Sequence, residues 1–239
     1  MKIDVLAIGA HPDDIELGCG GTVAKLVAQG KMVAFLDLTQ GELGTRGTSE
    51  TRREEAASAV KVLGVNHRVN LNLPDGFLEN TRDYQLKIVE QIRYFKPDIV
   101  LANAIDDRHP DHAKASKLVS DACFLSGLPK VITHSNDSVQ NPWRPKRVFN
   151  YIQWKELEPD FVVDISEYMD VKIKACLAYK TQFYDPASKE PETPIATKDF
   201  LESLTYRAQN LGRLSGCNYA EGFTTDKLLA LKNFDGIIL

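Results

Sequence analysis

Two short segments of the sequence concentrate histidine and carboxylate side chains. They are residues 10–16 (AHPDDIE) and residues 106–112 (DDRHPDH), and together they hold three of the chain's five histidines. A catalytic zinc site takes three protein ligands from histidine and carboxylate and leaves a fourth position for water. The two segments therefore predict a divalent-metal site, provided that the fold brings them together.

Each segment also has a simpler interpretation when it is taken alone. A histidine at a strand end is more often a hydrogen-bonded or capping residue than a ligand, and Asp-Asp before a helix commonly caps its N-terminus. The glycine-rich residues 18–21 (GCGG) could belong to a nucleotide site. However, they do not follow the Gly-x-Gly-x-x-Gly pattern, and acids stand where a pyrophosphate would bind. We expect these glycines to allow close helix packing instead.

The elements that must position both segments follow from the hydrophobic pattern, in which short apolar runs alternate with helical stretches. Strands are predicted at residues 4–10, 32–39, 68–73, 98–104, 148–153 and 161–165. Helices are predicted at residues 20–29, 50–63, 84–95, 111–125, 167–183 and 200–214. This alternation is typical of right-handed crossovers between parallel strands.

The predicted fold is of the α/β class, a Rossmann-like three-layer αβα arrangement with a mainly parallel central sheet. In a 3-2-1-4 strand order the first and fourth strands are neighbours. The two polar segments directly follow these strands, and ligands of such sheets bind at the carboxyl ends of the strands. With no repeat and no linker, we expect residues 1–239 to form one domain.

Composition and charge argue against two classes of binding partner, nucleic acids and membranes. The net charge of −4, without a basic stripe, argues against a nucleic-acid partner. No apolar run approaches the length of a membrane span, and the N-terminus lacks a signal-peptide pattern. The four cysteines are far apart and are expected to be reduced thiols. We therefore expect a cytoplasmic protein without a membrane partner.

The order of the motifs resembles a known superfamily. A-H-P-D-D-x-E after the first strand and H-P-D-H after the fourth resemble the signature of the PIG-L/LmbE zinc-dependent N-deacetylases. Similar stretches recur over almost the whole chain, at residues 41–45, 52–56, 63–65, 73–75 and 219–223. The resemblance implies an enzyme that removes the acetyl group from a small N-acetylated amino sugar. It also implies Zn²⁺ as the cofactor, with Fe²⁺ or cobalt as alternatives, and a homo-oligomer, often a hexamer.

The resemblance also implies roles for the residues of the two motifs. His11, Asp14 and His112 would hold the zinc ion. Asp13 would be the general base that takes a proton from the attacking water. His109 would stabilise the oxyanion or protonate the leaving amine.

Further implied roles concern the surroundings of the metal. Asp111 would orient a neighbouring imidazole, and Arg52 and Asp75 would hold sugar hydroxyls. Arg108 stands where some relatives have a small or aromatic residue, and its planar guanidinium suits a carboxylate on the substrate. Residues 219–223 (YAEGF) would either close the pocket or form a packed C-terminal turn.

Within the superfamily, the bacillithiol deacetylases are the nearest resemblance. They share the D-R-H-P-D-H loop, the R-x-E-E helix start and a D-I-S-E-Y segment (residues 164–168), although Asp106 replaces the more usual glutamate. The implied substrate is N-acetylglucosaminyl malate. Three alternatives stay open: a diacetylchitobiose deacetylase or thiol-conjugate amidase of the same superfamily, a metal-dependent sugar-binding protein without turnover, and a nucleotide-binding protein. The acid–base pair Asp13 and His109 argues against mere binding, which needs neither.

Overall fold

The computed structural model describes residues 1–231 and Asn233. The strands are β1 (Val5–Gly9), β2 (Val33–Thr39), β3 (His67–Leu73), β4 (Ile99–Ala102), β5 (His134–Ser135), β6 (Ser138–Val139), β7 (Arg147–Tyr151), β8 (Phe161–Asp164) and β9 (Ala220–Thr224). The helices are α1 (Asp14–Ala28), α2 (Ser49–Leu63), α3 (Arg82–Phe95), α4 (Pro110–Ser126), α5 (Met169–Cys176) and α6 (Lys198–Ser215), with a 3₁₀ turn at Pro194–Ala196.

In the described part of the chain, seven strands form one sheet in the order β3-β2-β1-β4-β7-β9-β8. The first five are parallel, and β9 and β8 add antiparallel pairs at one edge. Helices α1, α2 and α5 contact one another, and α3 packs against α4 in a separate layer. The α/β class, the mainly parallel sheet and the 3-2-1-4 order are confirmed.

The central strands are buried on both faces, as their continuous apolar runs predict. Leu6 and Ile8 of β1 belong to the apolar cluster under α3 and α4. Val5 and Ala7, which point the opposite way, belong to the cluster under α1. Because both faces of β1 are packed, the position of the loop that follows it is fixed. None of the helices in residues 1–231 combines the length and the apolar character that a membrane span requires.

Three elements differ from the sequence-based prediction. Helix α1 starts at Asp14 instead of residue 20, but it is interrupted at Cys19, whose φ of −144° and ψ of 24° are not helical. The long helix predicted at residues 167–183 is wrong: α5 ends at Cys176 and a series of turns follows. These turns bury Tyr179 and Phe183 against α2. Residues 219–223 form no turn but lie largely in β9, which pairs with β7 and β8.

Candidate active site

A cavity of about 400 Å³ opens at the carboxyl ends of the parallel strands. The loops after β1, β2, β3, β4 and β7 line it, together with part of α6. Eight residues singled out in the sequence line this cavity: His11, Asp13, Asp14, Arg52, Asp75, Arg108, His109 and His112. The ninth, Asp111, is fully buried and lies against His11.

The carboxylate of Asp14 lies between two histidines. Its Oδ2 atom is 3.4 Å from His11 Nδ1, and its Oδ1 atom is 3.1 Å from His112 Nε2. Side-chain amides of Asn103 and Gln153 donate hydrogen bonds to the same carboxylate, each at 2.9 Å. The Asp14 side chain is therefore held in one orientation. Asn103 and Gln153 follow β4 and β7, and no motif in the sequence indicated either of them.

Asp107 orients the imidazole of His112. Its Oδ2 atom lies 2.6 Å from His112 Nδ1, and its Oδ1 atom accepts the backbone N–H groups of Arg108 and Lys155. A carboxylate on one ring nitrogen fixes the tautomer and leaves the other nitrogen free for a metal. This kind of role was predicted for Asp111 and not for Asp107, because the adjacent acids Asp106 and Asp107 are indistinguishable by type.

His11 is held by two further carboxylates. Its Nε2 atom lies 3.0 Å from Asp75 Oδ1 and 3.4 Å from Asp111 Oδ2. The other oxygen of Asp75 accepts the backbone N–H of Leu43, and Asp111 accepts that of Gly76. These contacts place Asp111 on an imidazole, and they turn Asp75 toward the same ring. Nε2 of His11 is buried, and neither contact has the geometry of a hydrogen bond.

The donor atoms fit a divalent metal ion. His11 has ligand atoms within 4.8 Å of His109 and His112, and likewise within 4.8 Å of Asp75 and Asp111. In a tetrahedral zinc site with bonds of about 2.0–2.1 Å, neighbouring ligand atoms lie about 3.3 Å apart. The distances from His11 Nδ1 to Asp14 Oδ2 (3.4 Å) and from His112 Nε2 to Asp14 Oδ1 (3.1 Å) are close to that spacing, although they run to different oxygens of Asp14. The buried Nε2 atom of His11, which lacks a hydrogen bond, faces the second group of potential ligands, Asp75 and Asp111.

The neighbouring carboxylates raise the pKa values of two of these imidazoles. Burial lowers the pKa of His112, but Asp14 and Asp107 outweigh it and raise that pKa to about 9. Burial also lowers the pKa of His11, and its contacts with Asp111, Asp14 and Asp75 raise it well above the usual value. The carboxylates therefore favour positive charge at this point of the cavity, as a cation site requires.

Asp13 lies beside the cluster in an unusual backbone conformation. It is the N-cap of α1 with a φ of 110°, and its side chain is buried. Arg52 lies under it, with Nη1 3.6 Å from Asp13 Oδ2 and a hydrogen bond of 3.2 Å to the carbonyl of Pro12. Burial raises the pKa of Asp13 to about 7, although Arg52 opposes the shift. A carboxylate of this kind can take up a proton near neutral pH.

His109 occupies the N-cap of α4. Its Nδ1 atom accepts the backbone N–H of Asp111 at 3.3 Å, so in the neutral ring the proton is on Nε2. Burial and the neighbouring His11 and His112 lower the pKa of His109 to about 4. His109 therefore presents a neutral N–H donor next to the cluster.

The outer wall of the cavity carries two arginines and two aromatic rings. The guanidinium carbon of Arg108 lies 4.6 Å from the centre of the Trp154 ring, and Phe200 stacks on Trp154 at 5.1 Å. Arg207 donates a hydrogen bond of 2.6 Å to the Trp154 carbonyl. Neither arginine forms an ion pair with any residue that the structure describes. Trp154, Phe200 and Arg207 belong to no spaced motif, so their place in the cavity was not predicted from the sequence.

Comparisons with known proteins agree with this geometry. The profile of the PIG-L family, described as GlcNAc-PI de-N-acetylase, matches residues 6–123. Diacetylchitobiose deacetylase of Thermococcus kodakarensis is 33% identical over 228 residues, which cover 91% of this chain and 81% of that protein. A Bacillus subtilis protein named "Probable N-acetyl-alpha-D-glucosaminyl L-malate deacetylase 2" is 29% identical over 199 residues, covering 76% and 84%.

A solved structure extends the likeness to the whole fold. The crystal structure of a conserved protein from Thermus thermophilus superposes with a TM-score of 0.86 and 36% identity, over 96% of this chain and 98% of that one. The resemblance predicted from the two motifs is thus confirmed at the level of the family. The chain belongs to the PIG-L family of de-N-acetylases.

Proposed function

We propose that this protein is a metal-dependent hydrolase that removes the acetyl group from the nitrogen of an amino sugar. The observation that carries the proposal is the contact of Asp14 with both His11 and His112, next to the buried carboxylate of Asp13. His11, Asp14 and His112 are the proposed ligands. A bound zinc ion would polarise the amide carbonyl and acidify water at neutral pH.

Asp13 is the proposed general base. A pKa near 7 lets it accept a proton from the attacking water and release it again at neutral pH. Arg52, held between Asp13 and the carbonyl of Pro12, keeps this carboxylate in place. The proton that Asp13 takes up is also the one that the departing nitrogen needs, so Asp13 can deliver it there.

His109 is the proposed donor to the developing oxyanion. Its backbone partner at Nδ1 leaves the N–H of Nε2 for the substrate. A preorganised donor of this kind contributes on the order of 3 to 4 kcal/mol to the transition state. Because the ring is neutral, we assign it the oxyanion and not the protonation of the amine.

For the substrate, we propose N-acetylglucosaminyl malate. Arg108 and Arg207 line the same cavity, and neither forms an ion pair with a described residue, although Glu156 and Asp107 are near enough to Arg207 to favour its charge. Two guanidinium groups suit the two carboxylates of a malate aglycone. The name of the Bacillus subtilis relative supports this choice. The second candidate is N,N'-diacetylchitobiose, which the name of the Thermococcus relative favours.

The test is acetate release by the zinc-loaded protein from three substrates: N-acetylglucosaminyl malate, N,N'-diacetylchitobiose and N-acetylglucosamine. We expect rapid release from the malate conjugate alone. Arg108→Gln and Arg207→Gln should each raise KM for that conjugate about 10- to 100-fold, the value of a charged hydrogen bond. Arg53→Gln, an exposed arginine of α2, is the matched control. Faster release from diacetylchitobiose would overturn the malate assignment but not the deacetylase, and no release from any N-acetyl sugar would contradict both.

A further inference from the structure

Helix α1 is broken one turn after Asp14. Cys19 is not helical. A regular helix would join the N–H of Gly21 to the carbonyl of Leu17 across this position, and here both groups have side-chain partners from elsewhere in the fold. Leu17 O accepts the ammonium of Lys172 at 2.7 Å, and Gly21 N donates to Glu221 Oε1 at 3.0 Å. Thr22 N donates to the second oxygen of Glu221 at 2.7 Å.

Lys172 and Glu221 also form an ion pair with each other. Lys172 comes from α5 and Glu221 from β9, and their side chains are only 5% and 3% exposed. Replacing a buried ion pair by apolar residues often leaves stability unchanged or raises it, so stability alone does not explain one. Here Lys172 binds the carbonyl before the helix break, and Glu221 binds the two N–H groups after it. The pair therefore specifies one backbone path in preference to a continuous helix.

The short segment before the break carries the chemistry of the site. It begins at Asp14 and includes Leu17, which lines the active-site cavity and whose N–H bonds to the carbonyl of Asp13 at 2.9 Å. A smaller cavity of about 30 Å³ lies directly behind it, lined by Leu17, Lys172, Glu221 and Arg207. The ion pair thus lies behind the site, and among the described residues it forms no hydrogen bond or ion pair with the histidines or with Arg207, which shares the smaller cavity.

We propose that Lys172 and Glu221 are positioning residues: they hold α1 broken, so that its first turn presents Asp13 and Asp14 to the cavity. The YAEGF segment thereby gains a role, because Glu221 is its acidic residue. The effect on turnover rests on the proposed function. The effect on zinc binding rests on the metal site of the same proposal, and the effect on the backbone rests on neither.

The test compares Glu221→Gln, Lys172→Met and the double variant with the wild-type protein. Glu221→Gln leaves the ammonium of Lys172 without its carboxylate and one backbone N–H without its acceptor. Lys172→Met leaves the carboxylate of Glu221 and the carbonyl of Leu17 without their donor. We expect faster amide exchange at Gly21 and Thr22, and zinc affinity, measured by competition with a chelator, about 10- to 100-fold weaker. Acetate release should show a lower kcat with little change in KM. The double variant should lose less zinc affinity and less kcat than the two single variants together, since both residues act on the same helix break.

Arg93→Met separates positioning from a general loss of stability. Arg93 is an equally buried cation of α3, in the other helical layer, and donates to the carbonyls of Ser126 and Leu128. At a similar loss of Tm, this variant should keep its zinc affinity and its exchange at Gly21 and Thr22. If Glu221→Gln and Arg93→Met behave alike in both measurements, the positioning role is overturned. An inactive wild-type protein would contradict the proposed function alone, because amide exchange at Gly21 and Thr22 needs neither metal nor substrate.

Discussion

Asp13 combines a backbone conformation that few side chains adopt with a carboxylate buried beside Arg52. Asparagine tolerates the same positive φ and has the same size, so Asp13→Asn removes the proposed base and its charge beside Arg52 while keeping the backbone conformation. We expect this variant to bind zinc as the wild type does and to lose about 10²- to 10⁴-fold in acetate release, the usual contribution of a general base. Zinc content per chain and kcat measure the two effects. Loss of the metal from Asp13→Asn would contradict the assignment of Asp13 as base.

Asp107 would act on a bound metal through its contact with His112, and its neighbour in sequence provides the control. Asp107→Asn places an amide against Nδ1 of His112, which loses the partner that fixes its tautomer. We expect zinc affinity about 10- to 100-fold weaker. Asp106 is exposed and contacts the ammonium of Lys155 instead, so Asp106→Asn should bind zinc like the wild type. Equal affinities for the two variants would show that the Asp107–His112 contact has no bearing on the metal.

The sequence predicted the gathering of these side chains but not all of their partners. Residues that follow two adjacent parallel strands lie at the same edge of the sheet, so the sequence alone predicted that His11 and His112 are close together. Asn103, Gln153 and Trp154 were beyond such reasoning, because each contributes through an exact loop position and carries no spacing that marks it. The same holds for Arg207, which enters the cavity from α6 and lies almost a hundred residues beyond the second motif.

Among the elements, α1 shows most directly how glycine permits close packing. A Cβ atom on Gly18 would lie 2.1 Å from Cδ2 of Tyr151, a fully buried ring whose hydroxyl donates to the carbonyl of Ile8. We therefore expect Gly18→Ala to destabilise the protein by about 1–3 kcal/mol or more, as overpacked cores do. The free energy of unfolding in urea is the measurement.

Gly20 lies two residues further along the same helix and serves as the matched control. A Cβ atom there would meet Lys172 Cγ at 3.5 Å, an ordinary contact. Gly20→Ala should therefore leave the unfolding free energy nearly unchanged or slightly higher, because alanine restricts the unfolded chain. If both alanine variants unfolded at the same urea concentration, the tight passage of α1 over Tyr151 would be refuted.

The way in which each element is buried explains whether it could be predicted from the sequence. Strands β1 and β2 are buried on both faces, so their apolar runs carried a clear signal. Strand β9 contains Glu221 and Gly222, and its burial rests on an ion pair and on pairing with β7 and β8. Neither is visible as a hydrophobic pattern.

Beyond Cys176 the helical periodicity continues in the sequence, but the chain turns so that the Tyr179 hydroxyl reaches Glu16 at 3.0 Å. Tertiary contacts there outweigh local propensity.

On the scale of the whole molecule, the candidate site joins distant parts of the chain at the centre of the sheet. Asn103, after β4, accepts the backbone N–H of Ala10 at 2.8 Å and donates to Asp14 and to Gln153, which follows β7. Three loops of the parallel sheet are thus linked before any metal binds. A metal held by His11, Asp14 and His112 would add a further link between the first and fourth strands. Its binding free energy would then contribute to the stability of the fold.

Removal of the metal should therefore lower the melting temperature. A ligand present at 100 times its Kd stabilises the folded state by about 2.7 kcal/mol, and for a chain of this size that corresponds to a Tm shift of about 5 to 10 °C. We expect this difference between zinc-loaded and chelator-treated protein in a thermal scan. His112→Ala should abolish it, whereas His134→Ala, an exposed histidine of β5, should keep it. A zinc-dependent shift that survives in His112→Ala would locate the metal among other residues, of which His11, Asp75 and Asp111 are the nearest group.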